Sequence, residues 1–267
     1  MNSDETFNWP DGDVILRATH GTDSRDFRVH KLFLSFASPV FKDTFSLPQP
    51  SSAVSNVETI DVTCPPRALE VILRFVYPST DSPAINDLTL LSEVLVIADK
   101  YEIRAAQSRF RSSLMEFVKT EPLRVYAIAC RLGYEDEMKI ASSHTTSIHL
   151  PNLTKLPDEF EFVPATAYHR LILLHAKYRK EVEDIVANHP PVLSPVPREK
   201  AFFSGIRGAL EAANARQTLL GIIRNGAPLN YESLAPVVET GNVLDPAVFR
   251  KFIHSILDRA NALSLTV

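Results

Sequence analysis

The sequence predicts an α+β fold: a short three-stranded sheet with helical hairpins at the N-terminus, followed by an all-helical region. Three observations predict it. β-Branched and alternating runs, the mark of strands, occur only around residues 14–19, 27–30 and 58–62. Apolar residues at helical spacing then recur through the rest of the chain. Of the 267 residues, 45% are apolar and 22% charged, the balance of a globular protein and not of a disordered one. A chain of this length suits two modest domains better than one.

Asp11-Gly12-Asp13 is a turn signal, and Val14–Thr19 follows as the first strand. His20–Ser24 reads as a turn cluster longer than the two-residue minimum. Phe27-Arg28-Val29-His30 alternates as a half-buried strand does, completing a β-hairpin. Lys31–Phe36 is a short helix, and Pro39 either stops it or opens the next helix, Pro39–Phe45, as a first-turn proline. Pro48–Ser52 forbids helix, so 48–56 is expected to be a loop. Glu58–Val62 alternates as the third strand. Phe27, Val29, Leu32, Leu34, Phe41 and Phe45 are expected to form the core between sheet and helices.

Pro65-Pro66 opens a helix with Leu69, Ile72, Leu73 and Val76 on one face, ended by Pro78. After a Ser/Pro/Asp connector, Leu88, Leu91, Leu95 and Ala98 mark a helix capped by Asn86 or Asp87. Tyr101-Glu102-Ile103 turns the chain into a helix over about 104–118. Thr120-Glu121-Pro122 is a helix start with a hydroxyl cap, and Gly133 is a C-terminal helix stop. Glu135–Thr146 is the next helix. Thr166–Ala187 is strongly periodic, with Tyr168, Leu171, Ile172, His175, Tyr178, Val182, Ile185 and Val186 on one stripe. The prolines of 190–197 form a stiff linker. The last helix has Asp245 as cap and Pro246 in its first turn.

The search for reactive chemistry excludes the familiar sites. The eight glycines form no Gly-x-Gly-x-x-Gly and no nucleophile elbow; Gly221 and Gly226 have phosphate-loop spacing, but Ala227-Pro228 stands where lysine and a hydroxyl are required. His144 and His149, five apart, lie on different helix faces, and Asp11-Gly12-Asp13 has too few oxygens for calcium. No metal site and no cofactor are expected. The two cysteines, Cys64 and Cys130, cannot build a disulfide scaffold; Cys130 reads as core filler. A thinner possibility is a ligand-binding or enzymatic helical region built on His169, His175, Tyr178 and His254; such stripes are usually core.

A net charge of −4 and pI near 6.1 argue against nucleic acid as partner. No apolar run is long enough to span a bilayer, and the polar start Met-Asn-Ser-Asp-Glu-Thr is not a secretory signal. An intracellular protein, in cytoplasm or nucleus, is expected.

Five motifs then occur in order: Asp13-Val14; Phe27-Arg28-Val29-His30-Lys31; Ser38-Pro39-Val40-Phe41; Leu73-Arg74-Phe75-Val76-Tyr77; and Ala98-Asp99-Lys100-Tyr101. Together they resemble the BTB/POZ domain, which the resemblance places at 11–118 after a tail of 1–10. Residues 119–189 resemble the helical, BACK-like extension that follows many such domains, and 198–267 form a further helical region. Phe45–Pro50 resembles a stretch frequent in fungal members. The resemblance implies a non-catalytic scaffold or adaptor acting through protein partners. It implies three modes of association, with Asp13, His30, Lys31, Phe45, Leu47 and Tyr77 as candidate interaction residues. Self-association is expected without an N-terminal swap, since only about a dozen residues, Pro10 among them, precede Asp13. Binding to cullin-3, as a ubiquitin-ligase substrate adaptor, is implied through apolar surface at Phe45 and Leu47, although the usual hydrophobic-x-Glu triplet is missing from Leu47–Ser51. Corepressor binding involves the positions of Asp13 and Lys31, for which the structural expectation is an ion pair holding hairpin to helix.

Overall fold

The computed structural model describes residues 7–47, 57–78, 84–146, 148, 150 and 153–188, with the backbone alone for 185–188. Expectations for 48–56, His149, 190–197, Gly221, Gly226, Asp245 and His254 lie outside these residues. The chain divides into two compact units, Met1–Phe117 and Val118–Val267.

The first unit is built on a three-stranded sheet of order β2-β1-β3, formed by β1 (Val14–His20), β2 (Asp23–Val29) and β3 (Glu58–Thr63). β1 and β2 pair antiparallel from Val14↔Val29 to His20↔Asp23. The hairpin turn is therefore only Gly21-Thr22, not the longer loop expected. Gly21, at φ +60°, supplies the positive φ that a two-residue hairpin turn needs at its first position. The polar outer half of β2, Asp23-Ser24-Arg25-Asp26, lacks the alternation that marks strands, which is why the expected turn extends over Asp23 and Ser24. β3 lies parallel to β1, from Val14↔Glu58 to Thr19↔Thr63. A parallel neighbour needs a long crossover. It contains α1 (Lys31–Ala37) and α2 (Pro39–Ser46).

α3 (Pro66–Val76), α4 (Leu88–Lys100) and α5 (Arg104–Leu114) complete this unit, with α5 closing in a 3-10 turn at Met115–Phe117. Period-two burial sends Val14, Leu16, Ala18, Phe27, Val29 and Val62 into the core. α3 packs on β1 and β2 and against α4, which packs on α5. Ser38 is the N-cap of α2: its Oγ accepts from Phe41 N–H at 3.0 Å and donates to the Tyr101 carbonyl. Pro39 thus opens α2, the second of its two expected roles. Asp87 caps α4 by accepting from Thr89 and Leu90.

Leu32 departs from expectation. It is 61% exposed, while Leu34 and Phe41 are buried and Phe45 is half-buried. In a seven-residue helix apolar on nearly every side, periodicity does not say which side turns inward.

The second unit contains α6 (Pro122–Leu132), α7 (Glu135–Thr145) and α8 (Ala165–Asn188), with a 3-10 turn at Asp158–Phe162. The N-cap of α6 is Glu121, one residue after the expected Thr120, and its own side chain makes no cap bond. Gly133 stops α6 at φ +70°, the left-handed conformation of a helix C-cap. On α8 the inward face holds Leu171, Leu174, His175, Tyr178 and Val182, whereas Ile172 is exposed. The expected stripe was rotated by a fraction of a turn. Among the described residues, no helix is long and apolar enough to cross a membrane.

Candidate functional site

The candidate residues gather where β2 passes into α1. α1 begins at Lys31, and its N-cap, His30, offers no side-chain bond. The cap comes instead from the residue just before β1: Asp13 Oδ1 accepts from the Lys31 backbone N–H at 2.8 Å. The Lys31 ammonium turns away to Glu58 on β3, at 2.6 Å, and lies 5.5 Å from the centre of the Phe45 ring. The expected Asp13–Lys31 side-chain ion pair is therefore replaced by two contacts, one to the amide and one to the ammonium. Glu58 was missed because its position beside Asp13 depends on the parallel register Val14↔Glu58, which no local motif signals.

His30 and Tyr77 are joined twice. The His30 backbone N–H donates to the Tyr77 hydroxyl at 2.8 Å, and His30 Nδ1 lies 2.9 Å from the same oxygen. On the other side of the ring, His30 Nε2 lies 3.4 Å from Asp11 Oδ1. Phe7, Trp9 and Phe33 surround the phenol, with Trp9 stacked on Tyr77 at 6.0 Å and 4°. Burial pushes the Tyr77 phenol up to about 12, and the nearby Asp13 and Asp11 charges add to that, so it stays protonated at neutral pH. Gly12 lets the entering strap come this close: a Cβ there would lie 2.9 Å from the Val29 carbonyl. Tyr77→Phe is expected to cost about 1–3 kcal/mol, because His30 N–H loses its partner in a part-buried place. Urea unfolding checks this.

Beyond this junction three large apolar side chains are exposed. Phe36 is 84% exposed and Leu32 61%, one turn apart on α1. Leu47, at the end of α2, is 62% exposed. The structure thus links Asp13, His30, Lys31, Tyr77 and Phe45 by direct contacts, with Leu47 two residues beyond Phe45. Leu32 and Phe36 were missed as surface residues. The signal was present in Lys-Leu-Phe-Leu-Ser-Phe-Ala, a helix too short and too apolar to hide every large side chain.

The groups with reactive potential are held inert. Burial pushes the Cys64 thiol up to about 11 and raises that of Cys130 as well. His175, suspected of ligand chemistry, is buried in the second unit. Its Nε2 donates to Thr145 Oγ1 at 2.9 Å, while Thr145 gives its own proton to the Ser142 carbonyl. His169 is exposed. Among the described residues no group of three or more ligating side chains could hold a metal.

Cys64 gives the stability a pH dependence. Its proton is held more tightly in the folded state, so its contribution is full below about 9 and is lost as pH rises toward about 11. Urea midpoints are expected to fall over this range, and less steeply in Cys64→Ala.

Residues 9–117 match the BTB/POZ domain. A BTB/POZ domain-containing protein of Arabidopsis thaliana is 29% identical over 104 residues, covering 39% of this chain and 46% of that one. The aligned stretch thus spans less than half of the relative's length. The first unit contains a BTB/POZ domain, a non-catalytic protein–protein interaction module.

Proposed function

We propose that the chain is a non-catalytic scaffold whose BTB/POZ domain associates with a second copy through the exposed face of α1. Phe36, with Leu32 one turn behind it, carries this reading. Scattered single apolar residues are ordinary on a surface; here two large ones adjoin on one helix face, and that pairing supports the reading. A two-fold axis would lay the strip against its own counterpart, the commonest form of self-association. No exchange of N-terminal segments is needed, since residues 7–12 are already tied to β2 by Trp9 N–H to the Arg28 carbonyl. The free thiols of Cys64 and Cys130 fit an intracellular, reducing setting. Sedimentation of the purified chain across the micromolar range tests the reading: a monomer–dimer equilibrium supports it, and a monomer at every concentration rejects it.

Exposed Leu47 favours a second reading, docking to cullin-3 as a ubiquitin-ligase adaptor. It projects apolar surface directly after α2, beside half-buried Phe45. Binding of the purified cullin-3 N-terminal region, weakened by Leu47→Glu, would support it. No binding at tens of micromolar rejects it.

A further inference from the structure

We infer that the second unit holds a separate site for a short segment of a partner protein in which a large apolar residue stands beside acidic ones. A cavity of about 260 Å³ lies among α6, α7 and α8. Small-molecule sites usually measure roughly 300–1,000 Å³, so this one fits a single large side chain better than a cofactor. Tyr126, Leu171 and Leu174 line it as buried side chains, with Met138 half-buried. The Tyr126 hydroxyl is committed to the Ala167 carbonyl at 2.9 Å, so Tyr126 offers the cavity its ring.

Charge specifies the neighbours of that side chain. Lys139 on α7 and Arg170 on α8 are exposed at the same cavity. Neither has a carboxylate partner among the described residues, whereas in the same unit Arg124 holds Glu121 and Glu159, and Lys155 holds Asp158. Glu135 precedes Lys139 by four residues, the favourable order for a helical ion pair, yet the two are not joined. Glu135 also lines the cavity, so its charge is two cations against one carboxylate; the two cations, unpaired among the described residues and on different helices beside an apolar recess, match carboxylates flanking an apolar anchor. That the ligand is polypeptide rests on the reading of the chain as an association module.

The test uses the full chain and two labelled hexapeptides, Asp-Asp-Phe-Leu-Asp-Gly and its basic counterpart Lys-Lys-Phe-Leu-Lys-Gly, followed by fluorescence anisotropy. The acidic peptide is expected to bind saturably. Lys139→Glu with Arg170→Glu should weaken it at least about tenfold and shift preference to the basic peptide. Lys155→Glu, at an exposed pair elsewhere, should change nothing. Leu32→Glu with Phe36→Glu should also leave this binding intact, which separates failure of the peptide site from failure of the α1 contact. Equal binding of the two peptides, or no saturation by either, overturns the site. The second outcome includes the case in which part of 189–267 already occupies it.

Discussion

Replacing Leu32 and Phe36 together by glutamate is expected to convert a self-associating chain into a monomer that remains folded. Both side chains are exposed in the single chain, so their loss leaves no cavity behind. Surface substitutions of this kind usually change folding stability by less than about 0.5 kcal/mol. Association is affected differently. Across a two-fold contact four carboxylates would replace four apolar side chains, and each ion would leave water without a partner. The dissociation constant should rise at least about 100-fold, equivalent to roughly 2.8 kcal/mol. Light scattering reads the mass, and thermal melting of the same sample verifies the fold. A folded variant that still dimerises as the parent does removes α1 from the contact.

Phe41→Ala is expected to produce the largest loss of folding stability, about 3–5 kcal/mol. Phe41 is 1% exposed and anchors α2 to the rest of the unit. Its ring stacks on Tyr101 at 4.5 Å and 3°, and on Phe45 at 5.9 Å and 16°. Its amide is the donor to the Ser38 cap, and Ser38 in turn donates to the Tyr101 carbonyl. Truncation therefore opens a cavity where the α1–α2 hairpin meets the end of α4. Since a domain of this size is typically stable by only about 5–15 kcal/mol, the loss is a large share of the total. Urea unfolding measures it, and a cost below about 1 kcal/mol would show that the site collapses around the missing ring.

The parts of this fold that were legible in the sequence are those set by local chemistry. The Asp87 cap, the Gly133 stop and the first-turn proline Pro39 each serve the backbone within a few residues; Gly133 appears where the motif put it, and Asp87 and Pro39 each fulfil one of the two roles that the sequence left open. Alternation likewise located Phe27 and Val29 on the inward face of the sheet. What was not legible depends on distant chain. Glu58 reaches Lys31 only because β3 aligns with β1 after a crossover of two helices. Leu32 faces outward because α2 and α3 take the other sides of α1, a choice that seven residues cannot encode alone. Leu174, not Ile172, faces inward on α8 because adjacent apolar residues leave the phase of the stripe open to rotation. The same division runs through the candidate site. The His30–Tyr77 junction rests on motif residues, whereas the exposed strip emerges only from packing.

The central claim, that exposed side chains of α1 touch a second polypeptide, is tested most directly by placing a photo-crosslinking benzoylphenylalanine at position 36. Irradiation of the purified chain is expected to give a covalent species of twice its 29.8 kDa mass. The same crosslinker at exposed Arg104, on α5, serves as the comparison. Monomer alone from position 36, or an equal yield of dimer from position 104, would contradict the claim.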